Sequence, residues 1–251
     1  MRKTFLSIFI ILVSIVPISC GACSSRQQFP SYTLNSILPR ESFVKIEVTV
    51  KITECPKVHE GECIQDLGKA HASGAVVKRT PKGSYILTAD HVCDTDDQIP
   101  LFLVLQNYKV KGVFDAIDID ERKIEAVVHA QSDKIDACIL FAKDLTDRKA
   151  IPLKGRSPDI TDTAYNIAAP GGFFGRNMVP IFEGRYSGMY NEHDIYTIPA
   201  MGGSSGSPII DVDGNLIGMI FAVHRNFPFI SFSPTTEDLY DFLRVLKKTP
   251  R

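Results

Sequence analysis

The sequence predicts an all-β fold of antiparallel sandwich or barrel type, closed by a single C-terminal α-helix. Three observations carry this. Short apolar runs recur along the chain, separated by clusters of Gly, Pro, Asn and Asp. The first run alternates strictly between apolar and polar residues, the period of a half-buried strand. Only the end of the chain carries a helical stripe. With 251 residues, 44% of them apolar, the chain can bury a sizeable core.

The N-terminus has a different character. Met1-Arg2-Lys3 supplies positive charge, and Phe5 to Ile18 form an apolar run of 14 residues. This is the layout of a signal peptide. It falls short of the about 20 residues that a membrane span needs, which disfavours the alternative of a retained anchor helix. We assign it residues 1–22. Its end allows three readings. Ile18-Ser19-Cys20 resembles the lipobox of bacterial lipoproteins, although Pro17 departs from that motif. Cys23, after Gly21-Ala22, is a second site for a lipid anchor, and simple cleavage after Ala22 is the third. All three export the protein, to a secreted, periplasmic or cell-envelope location. Residues 23–41, polar and containing Pro30 and Pro39, read as a tether.

The folded part begins with Val44, Ile46, Val48, Val50 and Ile52, which alternate with Lys45, Glu47, Thr49 and Lys51. Further strand-like runs fall at 75–77, 85–87, 101–105, 125–130 and 137–141. Leu145 to Asp159 reads as a crossover, after which the runs AYNIAA, MVPIF, IYTI, PII, LIGMIFAV and FISF continue the pattern. Leu239, Phe242, Leu243 and Leu246 then fall at i, i+3, i+4 and i+7, one face of a helix. Ser233 is expected to cap it with Pro234 at its first position, and Lys247 and Lys248 suit its C-terminal end.

The net charge of −1 supplies no basic footprint for nucleic acid. Beyond the leader, Cys55, Cys63, Cys93 and Cys138 make an even set in an exported chain, which argues disulfides over buried thiols. Cys55–Cys63 would close a short polar loop. No pair of CxxC motifs points to a metal.

The chemistry-bearing residues lie at strand ends. Thr88-Ala89-Asp90-His91 ends one run, Asp136 opens another, and Ser205 sits in Gly202-Gly203-Ser204-Ser205-Gly206-Ser207-Pro208. A serine hydroxyl is a weak nucleophile until a base takes its proton. His91 can be that base near neutral pH, and Asp136 can fix its tautomer and stabilise the imidazolium. Attack on a carbonyl builds negative charge on oxygen, which two backbone N–H groups in a tight glycine turn can meet. Gly203 and Ser205 would supply them. Ser205 is preferred to Ser204 and Ser207 because it alone has a glycine two before it and another just after. Cys93 and Cys138 each follow a member of this set by two residues, so contact between His91 and Asp136 would bring them together as Cys93–Cys138.

These motifs resemble those of the trypsin-like (chymotrypsin-fold) serine peptidases. Gly203 to Pro208 is similar to the family's nucleophile motif, TADH at 88–91 to its histidine motif and DACIL at 136–140 to its aspartate motif. Bacterial branches fit best. GGSSGSP is similar to the turn of glutamyl endopeptidases, and DGNLIGMI and the C-terminal stretch from FISF resemble HtrA-type proteases. The resemblance spans roughly residues 42 to 247. It implies two antiparallel β-barrels, over 42–148 and 149–251, with His91 and Asp136 from the first and Ser205 from the second. It implies a polypeptide substrate, no cofactor and no metal. A monomer is expected, because the chain stops at Arg251 where HtrA-type proteases continue into a PDZ domain. Ser204 occupies the position where animal trypsins pair an aspartate with a newly cut N-terminus, so no such zymogen switch is expected.

By the same resemblance the primary specificity pocket is lined by Pro199, Ile220, Phe221 and Ala222, none of them charged. That predicts cleavage after small or medium apolar residues. His193, His224 and Asp133 are expected to be exposed loop residues. Two other classes remain: a catalytically degenerate protease fold that binds a partner in its cleft, and a structural envelope lipoprotein with no opening near Ser205.

Overall fold

The computed structural model describes residues 38–54, 66–94, 108–176 and 178–247. The leader with Cys20 and Cys23, most of the tether, the pair Cys55–Cys63, the run at 101–105 and Lys248 lie outside them. Six strands form a closed barrel: β1 (Phe43–Glu54), β2 (Asp66–Thr80), β3 (Gly83–Thr88), β4 (Lys109–Ile117), β5 (Lys123–Ser132) and β6 (Ala137–Ala142). Their order is β1-β2-β3-β6-β5-β4, closed by β4 on β1. Every pairing is antiparallel.

The alternation in β1 does what its period requires. Val44, Ile46, Val48, Val50 and Ile52 are buried, whereas Lys45, Glu47 and Lys51 remain partly exposed. Thr49 is buried as well. β4 was not anticipated. It also alternates, but Gly112 takes one of its buried positions and only Phe114 and Ala116 supply buried apolar side chains. Its hydrophobic signal is therefore thin.

Seven strands form the second unit: β7 (Thr163–Ile167), β8 (Ile181–Tyr190), β9 (His193–Tyr196), β10 (Ser207–Ile210), β11 (Leu216–Ile220), β12 (Ala222–Val223) and β13 (Ser231–Pro234). Their order is β11-β10-β7-β8-β9-β13-β12. The run LIGMIFAV does not form one strand. It breaks at Phe221, and its two parts become opposite ends of the sheet. A single residue joins those ends, so the sheet must curl back on itself. This is the second barrel of an all-β, two-barrel architecture.

Among the described residues two short α-helices complete the fold: α1 (Asp90–Cys93) and α2 (Thr236–Leu243). The cap of α2 corrects the sequence reading. Ser233 and Pro234 belong to β13, where the buried Ser233 Oγ accepts from Met219 N–H at 2.9 Å and donates to the Pro234 carbonyl at 2.7 Å. Strand pairing thus uses up that hydroxyl, and Thr235 is the first residue free to cap. Its Oγ1 accepts from Asp238 N–H at 3.1 Å. Leu239, Leu243 and Leu246 join the same buried cluster as the first barrel's Val76, Val77 and Ile86. Each such leucine contributes about 1.5–3 kcal/mol by leaving water. Lys78 Nζ, on β2, donates at 2.5 Å to the Leu246 carbonyl in the 3-10 turn Arg244–Lys247 that follows α2, and holds that turn against the barrel.

The connector after the first barrel is tied down by a buried charge. Asp118 is fully buried and accepts from Arg122 Nε at 2.6 Å, from Arg148 Nη2 at 3.0 Å and from the N–H groups of Asp120 and Arg122. Several donors are what a buried carboxylate requires.

Candidate active site

His91 lies in α1, directly after β3. Asp136 ends the 3-10 turn Asp133–Ile135 and adopts a left-handed backbone (φ 48°, ψ 52°) before β6 begins. Asp tolerates this region better than most residues. β3 and β6 are paired, with Thr88 opposite Cys138, so the two turns emerge side by side. The side chains meet. His91 Nδ1–H donates to Asp136 Oδ2 at 2.8 Å, and His91 N–H donates to Oδ1 at 3.0 Å. Two donors from one residue fix both the carboxylate and the ring, leaving Nε2 as the available base.

Cys93 and Cys138 are joined in a disulfide with Cα atoms 6.5 Å apart. Asp133 is exposed, and its carboxylate accepts from Lys134 N–H rather than from His91.

The Ser205 turn is held by glycines with positive φ on both sides, Gly203 at 94° and Gly206 at 82°. It packs on the first barrel. Ser73 N–H, on β2, donates to the Ser205 carbonyl at 2.8 Å. A methyl on Gly206 would lie 2.8 Å from Thr88 Cα and overlap the Ser73 carbonyl and the Thr88 hydroxyl. The turn therefore sits against the end of β3, three residues before His91. The other two serines are committed elsewhere. Ser204 is buried and its Oγ accepts from Met201 N–H, while buried Ser207 Oγ accepts from Asn166 Nδ2 at 2.8 Å. Ser205 is only partly buried, and among the described residues its Oγ makes no hydrogen bond, with His91 or otherwise. The N–H groups of Gly203 and Ser205 likewise donate to no acceptor among the described residues.

A family described as "Trypsin-like peptidase domain" matches residues 72–219, which include His91, Asp136 and Ser205. The chain belongs to the trypsin-like peptidase domain family. Members of this family are serine hydrolases, and polypeptides are the substrates their fold implies. No curated protein sequence matches the chain. Among solved structures, the serine endoprotease from Yersinia pestis is similar with a TM-score of 0.57 at 19% identity, covering 85% of this chain and 65% of that one. The chain thus spans under two thirds of the Yersinia protein. An inactive serine-to-alanine form of Rv3671c from M. tuberculosis H37Rv is similar with a TM-score of 0.55 at 15% identity, covering 87% and 92%. At such identities the likeness concerns the fold.

The electrostatics of this trypsin-like domain favour an ionised Asp136. Burial pushes its carboxyl upward, but the hydrogen bonds from the His91 ring and N–H, with the charge of His91, outweigh it and leave the carboxyl below the usual range. Asp90 moves the other way. Burial raises it, and the nearby charges of Asp136, Asp94 and Asp133 add to that, against the amide of Gln131.

Of the four residues expected to line the pocket, Ile220, Phe221 and Ala222 lie at the junction of β11 and β12, after the Ser205 turn, and Pro199 lies before it. Ile220 ends β11 opposite Ser207 and is 2% exposed. Ala222 pairs with Phe232, and Phe221 N–H donates to the Phe232 carbonyl at 3.1 Å. Pro199 stands between buried Ile198 and Ala200. The Ile198 carbonyl accepts from Ser231 Oγ at 2.6 Å, and Ala200 N–H donates to the Pro228 carbonyl at 2.9 Å. His224 is exposed in a turn. His193 is not an exposed loop residue. It opens β9, is half-buried and meets the Phe221 ring edge-on at 5.0 Å between centroids, because β9 pairs with β13 next to β12. Among the described residues no group of three His, Cys, Asp or Glu side chains could hold a metal ion, and no helix is long and apolar enough to cross a membrane.

Sequence reasoning missed the scaffold under the Ser205 turn. Ser73, Thr88 and the stretch Ala169–Gly172 all touch it or each other. Pro170-Gly171-Gly172 was visible as a turn signal. Ser73 carries no local mark.

Proposed function

We propose that the chain is an exported serine endopeptidase that cuts peptide bonds through His91, Asp136 and Ser205. The observation that carries this reading is the His91–Asp136 pair, fixed by two hydrogen bonds on the strand end against which the Ser205 turn is packed. Ser205 Oγ attacks the scissile carbonyl carbon while its proton passes to His91 Nε2. The carbonyl oxygen becomes the oxyanion and is met by Gly203 N–H and Ser205 N–H. His91 then gives its proton to the leaving amine, and water repeats the sequence on the acyl-enzyme. The hydroxyl-to-imidazole hydrogen bond tightens when substrate is bound, as is common for resting hydrolases.

Pro199, Ile220, Phe221 and Ala222 offer no charge to a substrate side chain, which supports cleavage after small or medium apolar residues. Disulfide-bonded Cys93 and Cys138 suit an oxidising compartment, and the leader provides the route there. The working form is a monomer, with a lipid on Cys20 or Cys23 as the membrane anchor where cleavage exposes one.

A labelled fluorophosphonate tests the core of this reading. Labelling of the parent protein at Ser205, abolished in Ser205→Ala, is the expected result; an unlabelled, folded parent sinks it. A peptide library tests the pocket, where strong preference for Arg, Lys or Glu at the cut site would overturn the apolar assignment.

A further inference from the structure

We propose that Ser73 is a positioning residue that aims the oxyanion-binding N–H of Gly203 from the opposite barrel. This rests on the triad reading above. Ser73 lies in β2, far from the nucleophile in sequence, and is fully buried. Its hydroxyl does two things at once. It donates to the Gly203 carbonyl at 2.8 Å and accepts from Ala169 N–H at 2.9 Å. Its N–H donates to the Ser205 carbonyl at 2.8 Å. Its own carbonyl accepts from Thr88 Oγ1 at 2.8 Å, at the end of β3 just before the His91 turn. One residue thus ties together the histidine strand, the nucleophile turn and the stretch that starts at Ala169.

That stretch closes the argument. Gly171 N–H donates to the Gly202 carbonyl at 2.6 Å. The Gly202–Gly203 peptide is planar and trans, so its carbonyl and its N–H point in opposite directions. Fastening the Gly202 carbonyl to Gly171 turns the Gly203 N–H away from that contact, and it meets no acceptor among the described residues. Ser73 Oγ pins both sides of this arrangement, Gly203 directly and Gly171 through Ala169. The two stretches pack closely: a methyl on Gly203 would lie 2.5 Å from the Ala169 carbonyl oxygen, 2.8 Å from Gly171 N and 3.1 Å from Gly172 N. Removing the hydroxyl leaves the Gly203 carbonyl and the Ala169 N–H without partners, which loosens the adjoining Gly203–Ser204 peptide and the Ala169–Gly171 stretch that fastens the Gly202–Gly203 peptide.

Ser73→Ala tests this with a peptide p-nitroanilide ending in alanine or valine and with the matching peptide aldehyde, whose hemiacetal oxygen needs the same donors. The expected result is a kcat lower by about 10- to 100-fold, a parallel loss of aldehyde affinity and a KM within about twofold. A folded Ser73→Ala variant with kcat within threefold of the parent overturns the proposal. Ser73→Cys keeps the size and weakens the hydrogen bonds, so an intermediate kcat is expected; parental kcat there also overturns it. Loss of folding in both variants makes Ser73 a structural residue and overturns the positioning role. A parent protein that neither turns over the anilide nor labels at Ser205 fails the triad reading itself, and this proposal with it. An active parent with an unaltered Ser73→Ala fails this proposal alone.

Discussion

At the scale of single residues, the site is a set of directional contacts that tolerate little change. Asp136 takes both donors that His91 offers it. An asparagine there keeps the shape but presents the wrong partner to Nδ1–H. Asp136→Asn should lower kcat by about 10⁴-fold, as steady-state kinetics would show on a preparation whose thermal melt confirms that it is folded. Gly206 is limited by space. Its φ of 82° disfavours any side chain, and a methyl there overlaps Ser73 and Thr88. Gly206→Ala should cost at least about 3 kcal/mol in a urea titration; a loss under about 1 kcal/mol would mean that the turn moves freely. His91, Asp136 and Ser205 were legible as candidates in the sequence because the proposed chemistry demands particular residue types beside particular turns. Ser73 was not. Its importance comes from a partner 130 residues away, which no local pattern encodes.

At the scale of elements, the strands followed from periodicity, and the departures have physical causes. β4 was missed because a glycine fills one of its buried places. LIGMIFAV reads as one strand because no polar residue, glycine or proline marks the bend at Phe221. The start of α2 moved from Ser233 to Thr235 because sheet pairing claimed the first hydroxyl. The disulfide bears on two elements directly. The Cys93–Cys138 bond joins the end of α1 to the start of β6, the two places that present His91 and Asp136. Reduction should lower stability by about 2–4 kcal/mol, mainly by freeing the unfolded chain. A melt with and without dithiothreitol reads it, and an unchanged transition would deny the bond any structural role.

At the scale of the whole molecule, several carboxylates act together in acid. The Lys123 hydrogen bond lowers Glu47 against burial, the Arg122 hydrogen bond lowers Asp147, and Asp136 is lowered by His91 despite its burial. Each has a folded value below its unfolded one. Each therefore contributes stability that is present above about pH 4 and lost as the pH falls through the folded value. Asp194 and Asp90 oppose them. Burial raises both, against the hydrogen bonds from Tyr186 and Gln131, so their share is lost as the pH rises through their folded values. The lowered groups outnumber them among these, and the denaturation midpoint should fall between about pH 4 and pH 2. Asp136→Asn should show a shallower fall; an identical slope would mean that its ionisation is not linked to folding.

The order of strands along the chain has one more consequence. All six strands of the closed barrel come from residues before 143, and all seven of the curled sheet from residues after 162. Neither borrows a strand from the other. Two separately produced polypeptides, divided within that connector, should each retain a complete set of strand neighbours. Hydrolysis would then return only on mixing, when Ser73 regains its grip on the nucleophile turn and α2 its seat on the barrel. The fold is thus a natural reporter of proximity, and recovery of fluorophosphonate labelling on titrating one fragment into the other would measure how tightly the halves associate.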